Sequence, residues 1–165
     1  MKITEHEIVE YIPRLRRYAR ALLRGNAGAA DDLVQDCLER ALSRLHLWRR
    51  GTDLRAWLFT LMHNLYVNQL RRNGREVTFE ELPEQPQDTY ADRGRMGEIE
   101  QALGRLQPDQ REILLMVTLE GLSYREVATV LGIPEGTVMS RLARARERLR
   151  RTLDGESSAE LRRIK

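Results

Sequence analysis

Arginine is concentrated near the end of this chain, in a pattern suited to binding nucleic acid. Residues 135–151 contain six arginines and two glutamates, a net charge of +4. Arginine donates paired hydrogen bonds to guanine edges and to phosphate oxygens. On a helix, the outer face would carry Gly136, Ser140, Ala143, Arg144 and Glu147, flanked by Thr137, Arg141, Arg148 and Arg151.

The residues before this segment predict the turn that would present such a helix. Ser123 and Glu126 have the spacing of a capping box, Gly132 can end the helix they start, and Pro134 can begin the next one. Apolar residues spaced by four, three and four then predict a buried stripe: Val138, Leu142, Ala145 and Leu149. This is a helix-turn-helix, which places its second helix in the DNA major groove. A hairpin that only packs is the alternative, and the basic outer face favours DNA binding.

A second polar stripe lies on a helix predicted from about Leu54 to Arg72. One broad face of that helix is apolar, and the other carries Thr60, His63, Asn64, Asn68 and Arg71. Short amides beside arginine can bond base edges and phosphates, and nearby aromatics could stack on unpaired bases: Trp48, Phe59 and Tyr66. His63 taken alone is more typical of a surface histidine, so the prediction depends on the stripe as a set.

Charge is unevenly distributed along the 165 residues, although the net charge is only +3. Residues 1–75 hold 14 lysines and arginines against 8 acidic residues, residues 76–98 hold 2 against 7, and residues 99–165 hold 12 against 10. Two basic blocks separated by an acidic one indicate two surfaces for a polyanion. Genomic base composition can explain why arginine outnumbers lysine, but it does not explain this segregation.

The sequence also argues against several classes of protein. Cys37 is the only cysteine, so no intrachain disulfide can form, and we expect a reducing, cytoplasmic location. No apolar run approaches the roughly 20 residues that span a bilayer, so we expect no direct membrane insertion. No phosphate-binding glycine loop, G-x-S-x-G, C-x-x-C or H-E-x-x-H motif is present. We therefore expect no enzyme activity, no catalytic residue, no cofactor and no metal.

We predict an all-α fold of two small helical domains joined by an acidic flexible linker. The first domain spans residues 1–75, the linker 76–98, the second domain 99–153 and a frayed tail 154–165. Helices are predicted at about 8–24, 31–46, 54–72 and 108–119, with Asp31 and Asp32 capping the second. The acidic cluster formed by Asp31, Asp32, Asp36 and Glu39 is interpreted as capping and as a patch that faces a protein, in preference to a metal site. Pro83 and Pro86, with little periodicity around them, indicate an extended or disordered linker.

Three stretches, in this order and with these separations, resemble the extracytoplasmic-function (ECF) class of sigma-70 family RNA polymerase sigma factors. They are DDLVQD at 31–36, the helix that begins LRAWLF at 54 and ends LRR at 72, and residues 122–148. The resemblance covers about residues 8–75 and 99–152. Met139 and Ala143 depart from it, because relatives often place larger or basic DNA-contacting residues there.

The resemblance implies a role for each stretch in transcription initiation. The clamp of the polymerase largest subunit would bind Asp32, Leu33, Gln35 and Asp36. The melted −10 element would be held by Trp48, Arg49, Thr60, Asn64, Asn68 and Arg71. The −35 element would be read by Thr137, Ser140, Arg141, Arg144 and Arg148. The implied partners are core RNA polymerase (its largest-subunit clamp and upstream-facing flap), promoter DNA and an anti-sigma factor.

Two other kinds of protein share part of this pattern. A conventional transcription activator accounts for the last thirty residues but leaves residues 31–72 without a purpose. A sigma mimic, which titrates an anti-sigma factor without touching DNA, needs no basic recognition helix, and we expect no room here for the receiver domain that such mimics usually carry. Binding to core polymerase distinguishes a sigma factor from the activator, and dependence on DNA distinguishes it from the mimic.

Overall fold

The computed structural model of the chain describes residues 5–48, 51–72 and 94–164, which form helices and the turns between them. A short 3-10 helix, Leu45–Leu47, follows the third α-helix. The α-helices in chain order are α1 Glu5–Val9, α2 Ile12–Leu22, α3 Ala27–Ser43, α4 Leu54–Arg72, α5 Gly94–Gly104, α6 Pro108–Thr118, α7 Tyr124–Leu131 and α8 Glu135–Ile164. The predicted all-α fold is confirmed. We call α1–α4 the N-terminal unit and α5–α8 the C-terminal unit.

The N-terminal unit is built around the packing of α3 against both α2 and α4. Its core is aromatic as well as aliphatic, because the rings of Tyr18 and Phe59 meet edge to face with centroids 5.0 Å apart and planes at 87°. Cys37 is fully buried, and its Sγ lies 3.6 Å from the carbonyl oxygen of Leu58. These contacts hold one side of α4 in the core and leave another side for solvent.

Two predicted helix boundaries in this unit are wrong. The helix expected over 8–24 is two helices, because Pro13 in the first turn of α2 has no N–H with which to continue a helix from α1. The cap of α3 is Asn26, whose Oδ1 accepts the N–H of Ala29 at 3.1 Å. Asp31 and Asp32 therefore lie inside α3, because the alanines before them extend the helix and Ala30 is buried.

The predicted helix-turn-helix is confirmed in the C-terminal unit. The Ser123 N–H donates to Glu126 Oε2 at 2.7 Å, and the Glu126 N–H donates to Ser123 Oγ at 3.1 Å, which completes the capping box. Gly132 ends α7 in the left-handed conformation, with φ 66°. Three members of the predicted apolar stripe of α8 are buried and Leu149 is half-buried: Val138, Leu142 and Ala145.

The boundaries of the C-terminal unit also differ from expectation. Helix α5 begins at Gly94, inside the predicted linker, while residues 76–93 of that linker lie outside the described ranges. Helix α8 continues to Ile164, so the prediction of a frayed tail over 154–165 is wrong. A helix already nucleated by the packed residues 138–149 costs little to extend, since each added residue forms one more hydrogen bond.

The two units pack against each other, and their buried apolar residues form one continuous cluster. Helix α2 contacts α6, and α4 contacts α7. At the centre of this contact, the Arg111 guanidinium donates to the carbonyl of Leu22 in the N-terminal unit at 3.0 Å, and to three carbonyls of its own unit: Leu103, Gly104 and Leu106. Arg111 is only 3% exposed, so it ties the ends of α2 and α5 together from inside the protein.

Candidate nucleic-acid interface

The outer face of α8 offers charged groups that are free to bind an anion. Arg144 and Arg148 are exposed and form no ion pair within the described ranges. By contrast, Arg150 and Arg151 both bind Glu147, at 2.7 and 3.0 Å, and their hydrogen bonds hold the pKa of that carboxyl below its usual value. The structure therefore separates the predicted DNA-contacting arginines from neighbours that are already paired.

The remaining predicted residues of α8 are placed differently. Ser140 is exposed, but its Oγ donates to the carbonyl of Thr137 at 3.1 Å, and Thr137 itself is half-buried. Arg141 is exposed and lines a groove that α8 shares with α4. Of the five residues predicted to read DNA, Arg144 and Arg148 are thus exposed and unpaired within the described ranges, and Arg141 lines the groove beside the N-terminal unit.

The predicted stripe on α4 is exposed at three of its positions. Asn64, Asn68 and Arg71 are accessible and follow one another at spacings of four and three, so they share one face of the helix. Thr60 is half-buried, and its hydroxyl donates to the carbonyl of Ala56 at 2.8 Å. The stripe therefore presents two amides and a guanidinium in a row.

Among the aromatic residues considered for base stacking, the structure leaves one accessible. Phe59 and Tyr66 are 0% and 3% exposed and belong to the core, so the prediction that they could stack on bases is wrong. Trp48 is half-buried, and its indole N–H has no hydrogen-bond partner within the described ranges. The neighbouring Arg49, predicted to bind the −10 element, lies outside those ranges.

The acidic face of α3 is exposed as predicted, with one exception. Asp32, Gln35 and Asp36 are accessible, and Gln35 Nε2 donates to Glu39 Oε1 at 3.3 Å. Leu33 is 0% exposed, so its side chain packs in the core and presents no surface to a partner. Within the residues the structure describes, no group of His, Cys, Asp and Glu side chains is arranged to hold a metal ion.

Cations of the N-terminal unit hold the turn between α6 and α7. Arg55 Nη2 lies 3.2 Å from both carboxylate oxygens of Glu126, and its Nη1 donates to the carbonyl of Glu120 at 3.4 Å. Arg17 Nη2 lies 3.3 Å from Glu120 Oε1 and from the carbonyl oxygen of Leu119. Burial raises the pKa of Glu126, but the hydrogen bond from Ser123 and the Arg55 guanidinium outweigh that effect and lower it overall.

A histidine–carboxylate pair joins α4 to α6. His63 Nδ1 contacts Glu112 Oε1, and the two side chains are only 16% and 6% exposed. Burial raises the pKa of Glu112, and the hydrogen bond and charge of His63 offset part of that rise. The interpretation of His63 as an ordinary surface histidine is therefore wrong.

The contacts between the units were missed by the sequence reasoning, although a signal was present. Arg111 and Glu112 open the run REILLM, so two charged residues stand where the helix periodicity places core positions. A charge at such a position needs a partner from elsewhere in the fold. The groove beside this contact has a volume of about 220 Å³, and its walls come from α4, α6, α7 and α8, including His63, Val67, Leu70 and Arg141.

A capped helix-turn-helix with a basic outer face, together with an amide-rich stripe on a second helix, defines a helical DNA-binding protein. Comparison with known proteins specifies the family. The family model described as the Sigma2 domain of PhyR matches residues 8–63, and the model for Sigma-70, region 4 matches residues 96–149. In the described ranges, no helix is both long enough and apolar enough to cross a membrane.

Relatives match over most of the chain. It is 40% identical over 149 residues to the ECF RNA polymerase sigma factor EcfG of Rhodopseudomonas palustris (strain TIE-1), covering 87% of this chain and 81% of that protein. The sigma factor RpoE of Bartonella quintana, solved in complex with the anti-sigma factor NepR, is 34% identical with a TM-score of 0.76, covering 93% of this chain and 98% of that one. CnrH, solved in complex with the cytosolic domain of CnrY, is 27% identical with a TM-score of 0.69, covering 91% and 86%. The chain belongs to the ECF class of RNA polymerase sigma factors: it is a promoter-specific transcription initiation factor.

Proposed function

We propose that the chain engages polymerase and promoter through three surfaces that follow one another in sequence. Residues 1–75 bind core polymerase and the −10 element, residues 76–98 link the domains, and residues 99–153 read the −35 element. The observation that carries this proposal is the presence of two exposed polar stripes on separate helices, α4 and α8, one in each unit. Two stripes on two units suit two promoter elements.

The exposed face of α3 binds the clamp of the polymerase largest subunit. Asp32, Gln35 and Asp36 supply charge and hydrogen-bonding groups, and Leu42, 47% exposed, extends the same helical face with an apolar contact. Leu33 acts from the core, where it holds α3 in position rather than touching the partner. The C-terminal unit contacts the upstream-facing flap of the polymerase.

The stripe on α4 holds the non-template strand of the −10 element after melting. Flipping a base out of the stack costs a few kcal/mol. Stacking on an aromatic ring such as Trp48 returns about 1–3 kcal/mol. Hydrogen bonds from Asn64 and Asn68 to the flipped base add to this stabilisation, and Arg71 binds the phosphate backbone of the strand. Arg49 and Thr60 complete the site. Thr60 contributes by holding this turn of α4 in place, because its hydroxyl donates to the carbonyl of Ala56.

Helix α8 reads the −35 element from the major groove. Arg144 and Arg148 have no ion-pair partner within the described ranges, so binding DNA breaks no existing pair at these positions. Arg141, Ser140 and Thr137 complete the set. A guanidinium that bonds guanine O6 and N7 discriminates against the wrong base by about 1–3 kcal/mol. We expect Arg144→Ala to weaken promoter binding by that amount and to alter sequence preference.

An anti-sigma factor is the proposed regulator, and the proposed location is the cytoplasm, where core polymerase and promoter DNA are present. Two solved relatives support the regulator: the structure of RpoE contains the anti-sigma factor NepR, and the structure of CnrH contains the cytosolic domain of CnrY. No catalytic step is assigned to the chain itself, since a sigma factor acts by binding.

Run-off transcription with purified core RNA polymerase tests the proposal. Promoter fragments from the same genome are transcribed with and without the chain, and we expect specific transcripts that require it. Asn64→Ala should reduce these transcripts without reducing polymerase binding, whereas Gln101→Ala, an exposed amide on α5, should change neither. Absence of both transcripts and polymerase binding would overturn the proposal. Binding to DNA alone would favour an activator, and binding only to an anti-sigma factor would favour a mimic.

A further inference from the structure

Met139 is a large apolar side chain left in solvent on α8. It is 49% exposed, whereas the neighbouring Val138 and Leu142 of the buried stripe are 0% and 1% exposed. The residues one turn before and one turn after it on the same side are Gly136 and Ala143, which are too small to cover it. Apart from the residues next to Gly136 and the nearby backbone of α8, no atom lies within 4 Å of the position that a Cβ on Gly136 would take. Met139 therefore projects from a shallow region of the helix surface.

Two of the polar groups on this side of α8 are already engaged. The Ser140 hydroxyl donates to the carbonyl of Thr137 at 3.1 Å, so it is turned back toward its own helix. Further along this side, Arg150 binds Glu147 at 2.7 Å. The contact that Met139 itself offers to a ligand is apolar, and the exposed charges of Glu135 and Arg146 flank it on the same side of α8.

Among the four bases, thymine alone presents an apolar group on its major-groove edge, the C5 methyl, and the other three present hydrogen-bonding groups there. The flexible, polarizable thioether of methionine adapts well to such a contact. Because Gly136 and Ala143 add little bulk, this side of α8 can approach the floor of the groove closely.

We infer that Met139 is a specificity-determining residue that contacts the methyl group of a thymine in the −35 element. The inference rests on the proposed role of α8 in reading that element. Methionine at position 139 would recognise thymine, whereas an arginine at the same position would favour guanine or a phosphate.

Replacing thymine by deoxyuridine removes only the methyl group and provides the test. The probe is the promoter duplex recovered by run-off selection, with each thymine of its −35 element replaced in turn, and binding is measured with holoenzyme assembled from core polymerase and the full chain. One replacement should weaken binding by the parent about fourfold, the loss expected when the burial of one methyl group is removed. Met139→Ala should bind the two duplexes equally, and Met139→Leu should restore the preference in part. Val9→Ala, a substitution of another exposed apolar residue, should keep the full preference.

Two results would overturn the inference: a parent indifferent to every thymine methyl, or a Met139→Ala variant with the parental preference. Arg144→Ala separates failure of this inference from failure of the proposed function. If Arg144→Ala weakens binding while Met139→Ala leaves the thymine preference unchanged, the inference about Met139 alone is wrong. If neither substitution changes binding, the assignment of α8 to the −35 element fails as well.

Discussion

Replacing Arg111 by methionine should destabilise the protein more than any exposed arginine substitution. Its Nε donates to the carbonyl of Leu103 at 2.9 Å, its Nη1 to Leu22 at 3.0 Å, and its Nη2 to Gly104 at 3.1 Å and Leu106 at 2.8 Å. These carbonyls lie at or just beyond the C-terminal ends of α2 and α5, where a helix carries partial negative charge. Within the described ranges, the guanidinium has no carboxylate partner, so carbonyls alone stabilise its charge.

The size of the effect follows from which carbonyls can reach water. The bonds to Leu22 and Leu106 are buried, whereas those to Leu103 and Gly104 are part-buried and can be replaced by solvent. Each buried acceptor left without a donor costs about 1–3 kcal/mol. Burial also lowers the pKa of Arg111 to about 10, so the charged form pays for desolvation and its removal returns part of the loss. We expect a net decrease of about 3 kcal/mol in the free energy of unfolding.

Urea unfolding followed by circular dichroism measures this difference. Arg111→Lys keeps a charge but cannot span four carbonyls, so its unfolding free energy should lie between those of the parent and the methionine variant. Arg125→Met, which changes an exposed arginine on α7, should remain within about 0.5 kcal/mol of the parent. The reasoning would be refuted by an Arg111→Met variant within about 1 kcal/mol of the parent, since the buried carbonyls would then have found other donors.

Three further results are expected. Ser123→Ala removes the capping acceptor of α7 and should lower the free energy of unfolding by about 1 kcal/mol. The control Ser43→Ala, which changes an exposed serine at the end of α3, should cost less than half as much. Equal losses in urea titrations would contradict the capping role of Ser123. Cys37 is buried, and burial raises the pKa of its thiol to about 12. Iodoacetamide at neutral pH should therefore label it only as fast as the structure opens. Labelling of the folded protein at the rate seen in urea would be inconsistent with this environment. Because the folded-state pKa of Glu126 is lowered, its ionised form stabilises the fold above the ordinary value of 4.5, and that contribution is lost as pH falls from there through the lower folded pKa. Glu126→Gln should flatten that part of the curve of stability against pH, and a slope unchanged by the substitution would argue against the contacts of Glu126 with Ser123 and Arg55.

Local signals in the sequence were sufficient to place several elements. Helix α4 has the predicted bounds, 54–72, because apolar periodicity continues without interruption across the whole segment. The capping box, the left-handed Gly132 and the start of α6 at Pro108 were also predicted correctly. Each of these features depends on residues within about one helical turn, and the sequence displays such residues directly.

Predictions failed where a local signal competed with packing. Asp31 and Asp32 are good helix-capping types, but burial of Ala30 moved the start of α3 to the cap at Asn26. Phe59 and Tyr66 are aromatic residues near a polar stripe, yet their positions on α4 face the core. In both cases the residue type was compatible with two roles, and the direction of the side chain selected one.

The sequence by itself determined the chemistry of this protein: arginines on α8, amides on α4 and acidic residues on α3, each set by residue type and helical spacing. The tertiary structure alone decided which of these groups face solvent and which face each other. His63 and Glu112 are 49 residues apart, and Arg17 and Glu120 are 103 residues apart, so no periodicity along the chain could pair them. The physical reason is that a buried charge must be compensated by whatever the fold brings beside it, and only the packing of one unit on the other determines that neighbour.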